Sequence, residues 1–162
     1  MSLPSLRSFP AFHSPIRVGI VGLSPAAHGW ALTVLVPSLL SVSNFYQIYA
    51  IGSRALEAAE EAASKVQQIL QTSKDIKLFV GSDTAIQIAS DPDVDLVVIA
   101  VQSPYHYDVV RPVIELGKPF FLEWPLGGNH VFEIAKATEE KHVRNMVGLQ
   151  WQQALSIRKV CA

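Results

Sequence analysis

The chain has 162 residues, of which 49% are hydrophobic and 17% charged, a composition typical of one globular domain with a buried core. Its net charge of −1 argues against a strongly basic nucleic-acid surface, so we expect no direct nucleic-acid partner. The single cysteine, Cys161, leaves no partner for a disulfide within this sequence, which fits a reducing compartment, and the apolar stretches are too short to span a bilayer.

The first predicted elements are a tail, a buried strand and a helix. Residues 1–15 are rich in Ser and Pro, and we expect them to form a disordered tail. The run from Ile16 to Val21 is rich in β-branched apolar residues, which favours a strand buried on both faces of a parallel sheet. A helix is predicted from about Ala27 to Ser41, and Pro37 should kink or shorten it.

A turn of small residues between this strand and this helix can hold a phosphate. Gly22 fits the first position of a G-x-G-x-x-G pattern, Ser24 stands at the second, and the third is Ala27, or Gly29 in a longer loop. Backbone N–H groups at the start of a helix have no partner within it, and small residues let a pyrophosphate reach them. The match is imperfect, and an ordinary glycine-rich turn between a strand and a helix is the alternative interpretation.

Strands and helices alternate along the rest of the chain. The predicted strands are Tyr46–Ile51, Leu78–Val80, Asp95–Val101, Phe120–Leu122 and Met146–Leu149. The predicted helices follow Ser53, Asp83, Tyr105 and Asn129, with a last short helical stretch from Ile157 to Val160. For the helix after Ser53 we expect this serine as the N-cap and an apolar face of Leu56, Ala59, Ala63, Val66 and Leu70. The alternation predicts an α/β fold, a doubly wound parallel sheet of about six strands with helices on both faces.

Three loops of this predicted sheet should meet at one edge. They are Gly22–Gly29, Ser53–Arg54 and Gln102–His106, each of which follows a predicted strand. Doubly wound sheets bind their ligands at the carboxyl ends of the strands, near the point where the strand order reverses. The placement therefore favours a nucleotide site, in which the Gln102 amide can hydrogen-bond the ligand.

The end of the second strand bears on the choice of nucleotide. An NAD site usually has an acidic residue there that binds the ribose hydroxyls, whereas this chain has Ser53 and Arg54. Arginine offers a planar fork that matches a phosphate, and serine adds a hydroxyl. We therefore expect NADP as the cofactor, with NAD as the alternative. A capping serine beside a solvated arginine explains the same two residues equally well.

An ordered set of motifs resembles the N-terminal domain of the glucose–fructose oxidoreductase and inositol dehydrogenase (Gfo/Idh/MocA) family. The motifs are I-R-V-G-I-V-G at 16–22, A-I-G-S-R at 50–54, D-P-D-V-D-L-V-V-I-A-V at 91–101, G-K-P-F-F-L-E-W-P-L at 117–126 and V-G-L-Q at 147–150. The resemblance implies an NAD(P)-binding Rossmann domain over residues 16–150, closest to a fungal branch that contains the yeast galactose-pathway repressor. It also implies that 151–162 are the truncated start of a C-terminal domain that family enzymes carry.

The resemblance adds expected roles for further residues. His106 matches a family histidine near the nicotinamide, and Glu123 and Pro125 match the outer residues of the family's E-K-P motif, which implies cofactor contacts. Trp124 stands where family enzymes have a lysine that can polarise the substrate and relay a proton. Tryptophan does neither, so we assign no catalytic residue and no metal site.

Three interpretations of function stay open at this level. The first is the NAD(P)-binding domain of an oxidoreductase of this family, without turnover as an isolated chain. The second is a cofactor-sensing transcriptional regulator, and the third is a truncated gene product with no activity of its own. The expected partner is the dinucleotide, and a protein partner or self-association is left open. The expected location is the cytoplasm, with the nucleus as the alternative.

Overall fold

A computed structural model describes residues 14–26, 29–126 and 130–148, and within them the chain forms one six-stranded sheet. The strands are β1 (Ile16–Val21), β2 (Tyr46–Ser53), β3 (Lys77–Val80), β4 (Leu96–Ile99), β5 (Phe120–Glu123) and β6 (Asn145–Gly148). Their order is β3-β2-β1-β4-β5-β6, and every neighbouring pair is parallel. The strand order therefore reverses between β1 and β4, as a doubly wound sheet requires.

Within the described residues, five α-helices cover the two faces of the sheet. They are α1 (Val36–Ser41), α2 (Leu56–Leu70), α3 (Thr84–Ser90), α4 (His106–Glu115) and α5 (Val131–Glu140). The core divides accordingly into two clusters: one joins α1 and α2 to the sheet, and the other joins α3, α4 and α5 to it. The predicted fold class, with helices on both faces of a six-stranded parallel sheet, is confirmed. None of the described helices is long and apolar enough to cross a bilayer.

The first helix differs from its prediction. Helical backbone starts at Trp30, but Ala31–Leu35 form a π-helical turn, and the regular α-helix α1 begins only at Val36. Pro37 explains the difference, because it has no N–H for an α-helical bond to Thr33 and its ring would clash with that carbonyl. The wider turn, closed by a bond from Val36 N–H to the Ala31 carbonyl, lets the chain continue with proline in the first turn of α1.

The start of α2 also corrects the prediction. Ser53 is the last residue of β2, where it lies opposite Val80, and Ala55 is the residue that precedes the helix. Ser53 is therefore not the N-cap, because strand pairing holds it in the sheet. Leu56 is 52% exposed, so it does not belong to the buried face that Ala59, Ala63 and Val66 form. The predicted helical stretch at 157–160 lies outside the described residues.

An ionic network joins the segments at the amino ends of the strands. Asp91 is buried, and its carboxylate accepts hydrogen bonds from Lys77 Nζ at 2.7 Å and from the Asp93 N–H at 2.8 Å. Lys118 Nζ donates to the backbone carbonyls of Asp91 and Val94 at 3.0 and 2.7 Å. Burial of the Asp91 carboxyl works to raise its pKa, but the bonds from Lys77 and Asp93 outweigh burial and lower it.

Asp91→Asn should lower the free energy of unfolding at pH 7 by about 1–3 kcal/mol, since a buried charge pair loses one partner. Because the pKa of Asp91 is lowered in the fold, its stabilising contribution is present near neutral pH and is lost as the pH falls through the acid range. The difference between wild type and variant should therefore shrink toward pH 3. Urea unfolding at several pH values measures it, with exposed Asp75→Asn as the control. A difference that stays constant with pH would contradict this assignment.

Candidate functional site

The carboxyl ends of four adjacent strands bring the predicted site residues to one edge of the sheet. Gly22 follows β1, Ser53 ends β2, Gln102 follows β4, and Glu123 ends β5. The strands are neighbours in the order β2-β1-β4-β5, so their loops lie side by side. The sequence predicted that these loops meet at one end of the sheet, and the strand order confirms that prediction.

The turn after β1 needs glycine at its first position. Gly22 has a φ of +87°, and a Cβ there would lie 2.5 Å from Val101 Cγ1 and 2.9 Å from the Val101 nitrogen. Hydrogen bonds from Ala100 N–H to the Val21 carbonyl, at 2.9 Å, and from Gly22 N–H to the Gly52 carbonyl, at 3.3 Å, join the carboxyl ends of β4, β1 and β2. The backbone after β1 is therefore packed directly against the backbone after β4.

The rest of the turn folds tightly onto itself. Leu23 is buried, whereas Ser24 is exposed and its Oγ accepts a hydrogen bond from Ala26 N–H at 3.3 Å. Gly29 N–H donates to the Ala26 carbonyl at 2.9 Å, and a Cβ on Gly29 would lie 3.0 Å from the Ser24 carbonyl oxygen. Ala27 lies outside the described residues. Helical structure begins directly after Gly29, so the turn delivers small residues to a helix start, as a bound pyrophosphate requires.

Ser53 and Arg54 mark the neighbouring loop. Ser53 is half-buried, and its carbonyl accepts a hydrogen bond from Gly81 N–H at 3.1 Å, which continues the pairing of β2 with β3. Arg54 is exposed, so its guanidinium is open to solvent and to a ligand. The alternative explanation of these two residues is a capping serine beside a solvated arginine. Because Ser53 does not cap α2, its part of that explanation is wrong. A role in 2′-phosphate binding stays a prediction.

His106 is buried beneath the loop after β4. Its ring is 2% exposed, and Nε2 lies 2.8 Å from the Val101 carbonyl oxygen. A carbonyl can only accept, so Nε2 carries the proton and donates, while Nδ1 has no partner within the described part of the chain. Burial lowers the pKa of His106, partly offset by the bond to Val101, so the neutral ring is favoured. His106 thus holds the segment that packs on Gly22, and its contact with a cofactor stays a prediction.

The segment after β5 contributes a carboxyl and an exposed aromatic ring. Glu123 is half-buried, and burial raises the pKa of its carboxyl. Trp124 is 52% exposed, and Pro125 is exposed beside it. Gln102, at the end of the adjacent strand, is also exposed and can reach a ligand with its amide. The edge therefore offers hydrogen-bonding groups and an aromatic surface.

Two contacts at this edge were not predicted from the sequence. Lys65 Nζ, from α2, donates to the Pro25 carbonyl at 2.7 Å. The rings of Tyr107 and His130 stack with their centres 4.4 Å apart. Each contact joins different elements, and local sequence patterns carry no signal for either one.

This geometry defines a dinucleotide-binding Rossmann domain. The family model described as an oxidoreductase family with an NAD-binding Rossmann fold matches residues 16–149, and the chain belongs to this Gfo/Idh/MocA family. The family resemblance and the NAD-binding function predicted from the sequence are both confirmed.

Relatives of two kinds are similar to this chain. The galactose/lactose metabolism regulatory protein GAL80 of Saccharomyces cerevisiae is 34% identical over 85% of this chain and 31% of its own length. Dehydrogenase aclE of Aspergillus oryzae is 32% identical over 90% of this chain and 38% of its own length. A crystal structure of a Saccharomyces cerevisiae Gal80p super-repressor mutant matches with a TM-score of 0.71 and 33% identity, covering 90% of this chain and 37% of that one. The chain thus spans about a third of the length of these relatives.

His106 should make stability depend on pH in a defined window. Its pKa is lowered in the fold, so between pH 7 and pH 5 the unfolded chain takes up a proton that the folded chain does not. The free energy of unfolding should fall through this window, by at most about 1.4 kcal/mol per pH unit from this group. His106→Gln, which stays neutral, should show a flatter profile in urea unfolding. Exposed His142→Asn is the control, and a flattening as large as that of His106→Gln would contradict the assignment.

Proposed function

We propose that this chain binds NADP(H) in preference to NAD(H) across the carboxyl ends of β1, β2, β4 and β5, and holds the cofactor without turnover. The observation that carries the proposal is the turn after β1. Its backbone is locked at the point where the strand order reverses, next to a strand end that presents Ser53 and Arg54 rather than an acid. A carboxylate at that position would repel a 2′-phosphate, and an arginine would pair with it.

Each part of the edge suits one part of the dinucleotide. Gly22, Ser24 and Gly29, with Ala27 between them in sequence, would form the small-residue backbone surface that the pyrophosphate approaches. Ser53 and Arg54 would hold the 2′-phosphate. Contacts near the nicotinamide would come from the remaining predicted residues, which are Gln102, His106, Glu123 and Pro125. The bound cofactor supplies hydride-transfer chemistry, and the role of this chain's residues is to bind and orient it.

Trp124 is the reason to expect binding without turnover. At neutral pH the indole has an N–H donor but no basic site and no charge, so it cannot replace the family lysine in relaying a proton. Glu123 and Pro125 beside it are retained, which keeps the end of β5 suited to placing the cofactor. Binding and catalysis are thus separable at this one position.

A cofactor-sensing regulator is the second candidate function. Trp124 in place of the lysine favours a regulator, and one of the similar proteins, GAL80, is named as a regulatory protein. The similar dehydrogenase aclE keeps the oxidoreductase domain as the first candidate. In either case we propose a cytoplasmic location, with the nucleus as the alternative. Partnership with another protein or with a second copy belongs to the regulator candidate.

The purified chain should bind NADPH with measurable affinity and should not oxidise or reduce polyols or sugars. Ser24→Leu should abolish the binding, since a large side chain in the turn blocks backbone approach to the pyrophosphate, while the exposed position lets the fold survive. Calorimetric titration measures the NADPH affinity of the wild type and of Ser24→Leu, with circular dichroism as the folding control. Hydride transfer to a sugar would refute the catalytic half, and a folded Ser24→Leu variant with unchanged affinity would refute the location.

Preference for NADP(H) over NAD(H) should be roughly ten-fold at low salt, as expected for one charge-assisted hydrogen bond at an exposed site. Salt should shrink it, because Arg54 is exposed. Arg54→Ala should remove most of the preference and leave NAD(H) binding nearly unchanged, and Ser53→Asp should reverse it. Parallel titrations of both cofactors test this. Equal affinities in the wild type would mean that Arg54 is only a solvated residue.

A further inference from the structure

The side chain of Lys65, on helix α2, contacts the turn after β1. Lys65 Nζ donates a hydrogen bond to the carbonyl oxygen of Pro25 at 2.7 Å, although the two residues are 40 positions apart. The same ammonium group pairs with the Glu61 carboxylate, one helical turn earlier, at 2.6 Å. The Lys65 side chain is 36% exposed, so the contact lies in a partly shielded junction between the helix and the turn.

The contact holds one peptide group of the turn from both sides. The carbonyl of Pro25 and the N–H of Ala26 belong to the same planar unit, and in a trans peptide they point in opposite directions. Lys65 binds the oxygen, and Ser24 Oγ accepts the hydrogen bond from the N–H at 3.3 Å. This peptide group therefore cannot rotate without breaking at least one of the two bonds.

We propose that Lys65 is a positioning residue for the phosphates of the dinucleotide. By bonding the Pro25 oxygen, it keeps that partial negative charge turned away from an anion at the turn, and it adds a positive charge beside the turn. A carbonyl oxygen that faced the pyrophosphate would repel it, so a bond that holds the Pro25 oxygen on Lys65 favours binding of the anion. The inference rests on the proposed function and names a residue outside the glycine-rich turn that shapes it.

Removing the charge without changing the length of the side chain tests the proposal. In NADPH titrations of the full chain, Lys65→Met should bind about ten-fold more weakly than wild type, as for the loss of one charge-assisted hydrogen bond. Its affinity should also depend less on salt, because one positive charge near the phosphates is gone. Lys65→Arg, which keeps the charge and the donors, should restore affinity to within about three-fold of wild type. Circular dichroism and thermal melting establish that each variant is folded.

Two further variants separate this role from a purely structural one. Lys136→Met removes a lysine from a similar exposed pair, Lys136 with Glu140 on α5, and should leave NADPH affinity unchanged. Glu61→Gln breaks the ion pair within α2 but keeps the bond from Lys65 to Pro25, and because it leaves the ammonium charge unneutralised it should bind NADPH at least as tightly as wild type. If Lys65 served only to stabilise α2, Glu61→Gln and Lys65→Met would weaken binding equally.

The outcomes are distinct. A wild type that binds neither NADPH nor NADH overturns the proposed function, and this inference falls with it. A wild type that binds, together with a folded Lys65→Met variant of equal affinity and equal salt dependence, overturns the role of Lys65 alone. Should Lys65→Met fail to fold, Lys65→Gln keeps a donor without the charge, and an unchanged salt dependence in that variant would likewise overturn the proposal.

Discussion

The close contact between the ends of β1 and β4 is the constraint on which the candidate site depends. A residue with a side chain cannot take the place of Gly22, because Val101 already fills the space where its Cβ would lie. Val101 is in turn held through its carbonyl by a buried, neutral histidine. Two segments that are distant in sequence, the turn after β1 and the stretch from Val101 to His106, thus set the position of one short piece of backbone. An unfilled pocket behind that segment would let it relax and lose its preorganisation for a ligand.

The two ends of the strands have different surroundings. At the amino ends of the strands, buried Asp91 and the lysines around it form a network whose partners are all protein groups. At the carboxyl ends, Ser24, Arg54 and Gln102 are exposed, and their polar groups are open to a ligand. The D-P-D-V-D motif at 91–95 thus stabilises the amino-terminal end of the sheet, although the strand that follows it, β4, leads to the candidate site at the other end. Family motifs in this chain therefore carry both kinds of constraint.

Local sequence patterns predicted most of the fold, because buried parallel strands and amphipathic helices follow from hydrophobic periodicity alone. They failed where a competing tertiary interaction decides the outcome. Ser53 looks like a helix cap, but pairing with β3 extends the strand through it. Leu56 has the helical spacing of a core residue, but it lies in the first turn of α2 and is 52% exposed. The contact of Lys65 with Pro25 joins residues 40 positions apart, so no local pattern could reveal it.

Trp124 shows how this scaffold can separate cofactor binding from chemistry. The groups suited to phosphate lie on the turn after β1 and at the end of β2, whereas Trp124 follows β5, which is separated from β2 by the two strands β1 and β4. A substitution at that exposed position leaves the packed contact between Gly22 and Val101 untouched. Under the proposed function, the bound dinucleotide is a ligand that the domain holds without consuming it. The relatives of this chain include both a regulatory protein and a dehydrogenase, so similarity in this domain does not by itself decide between the two kinds of function.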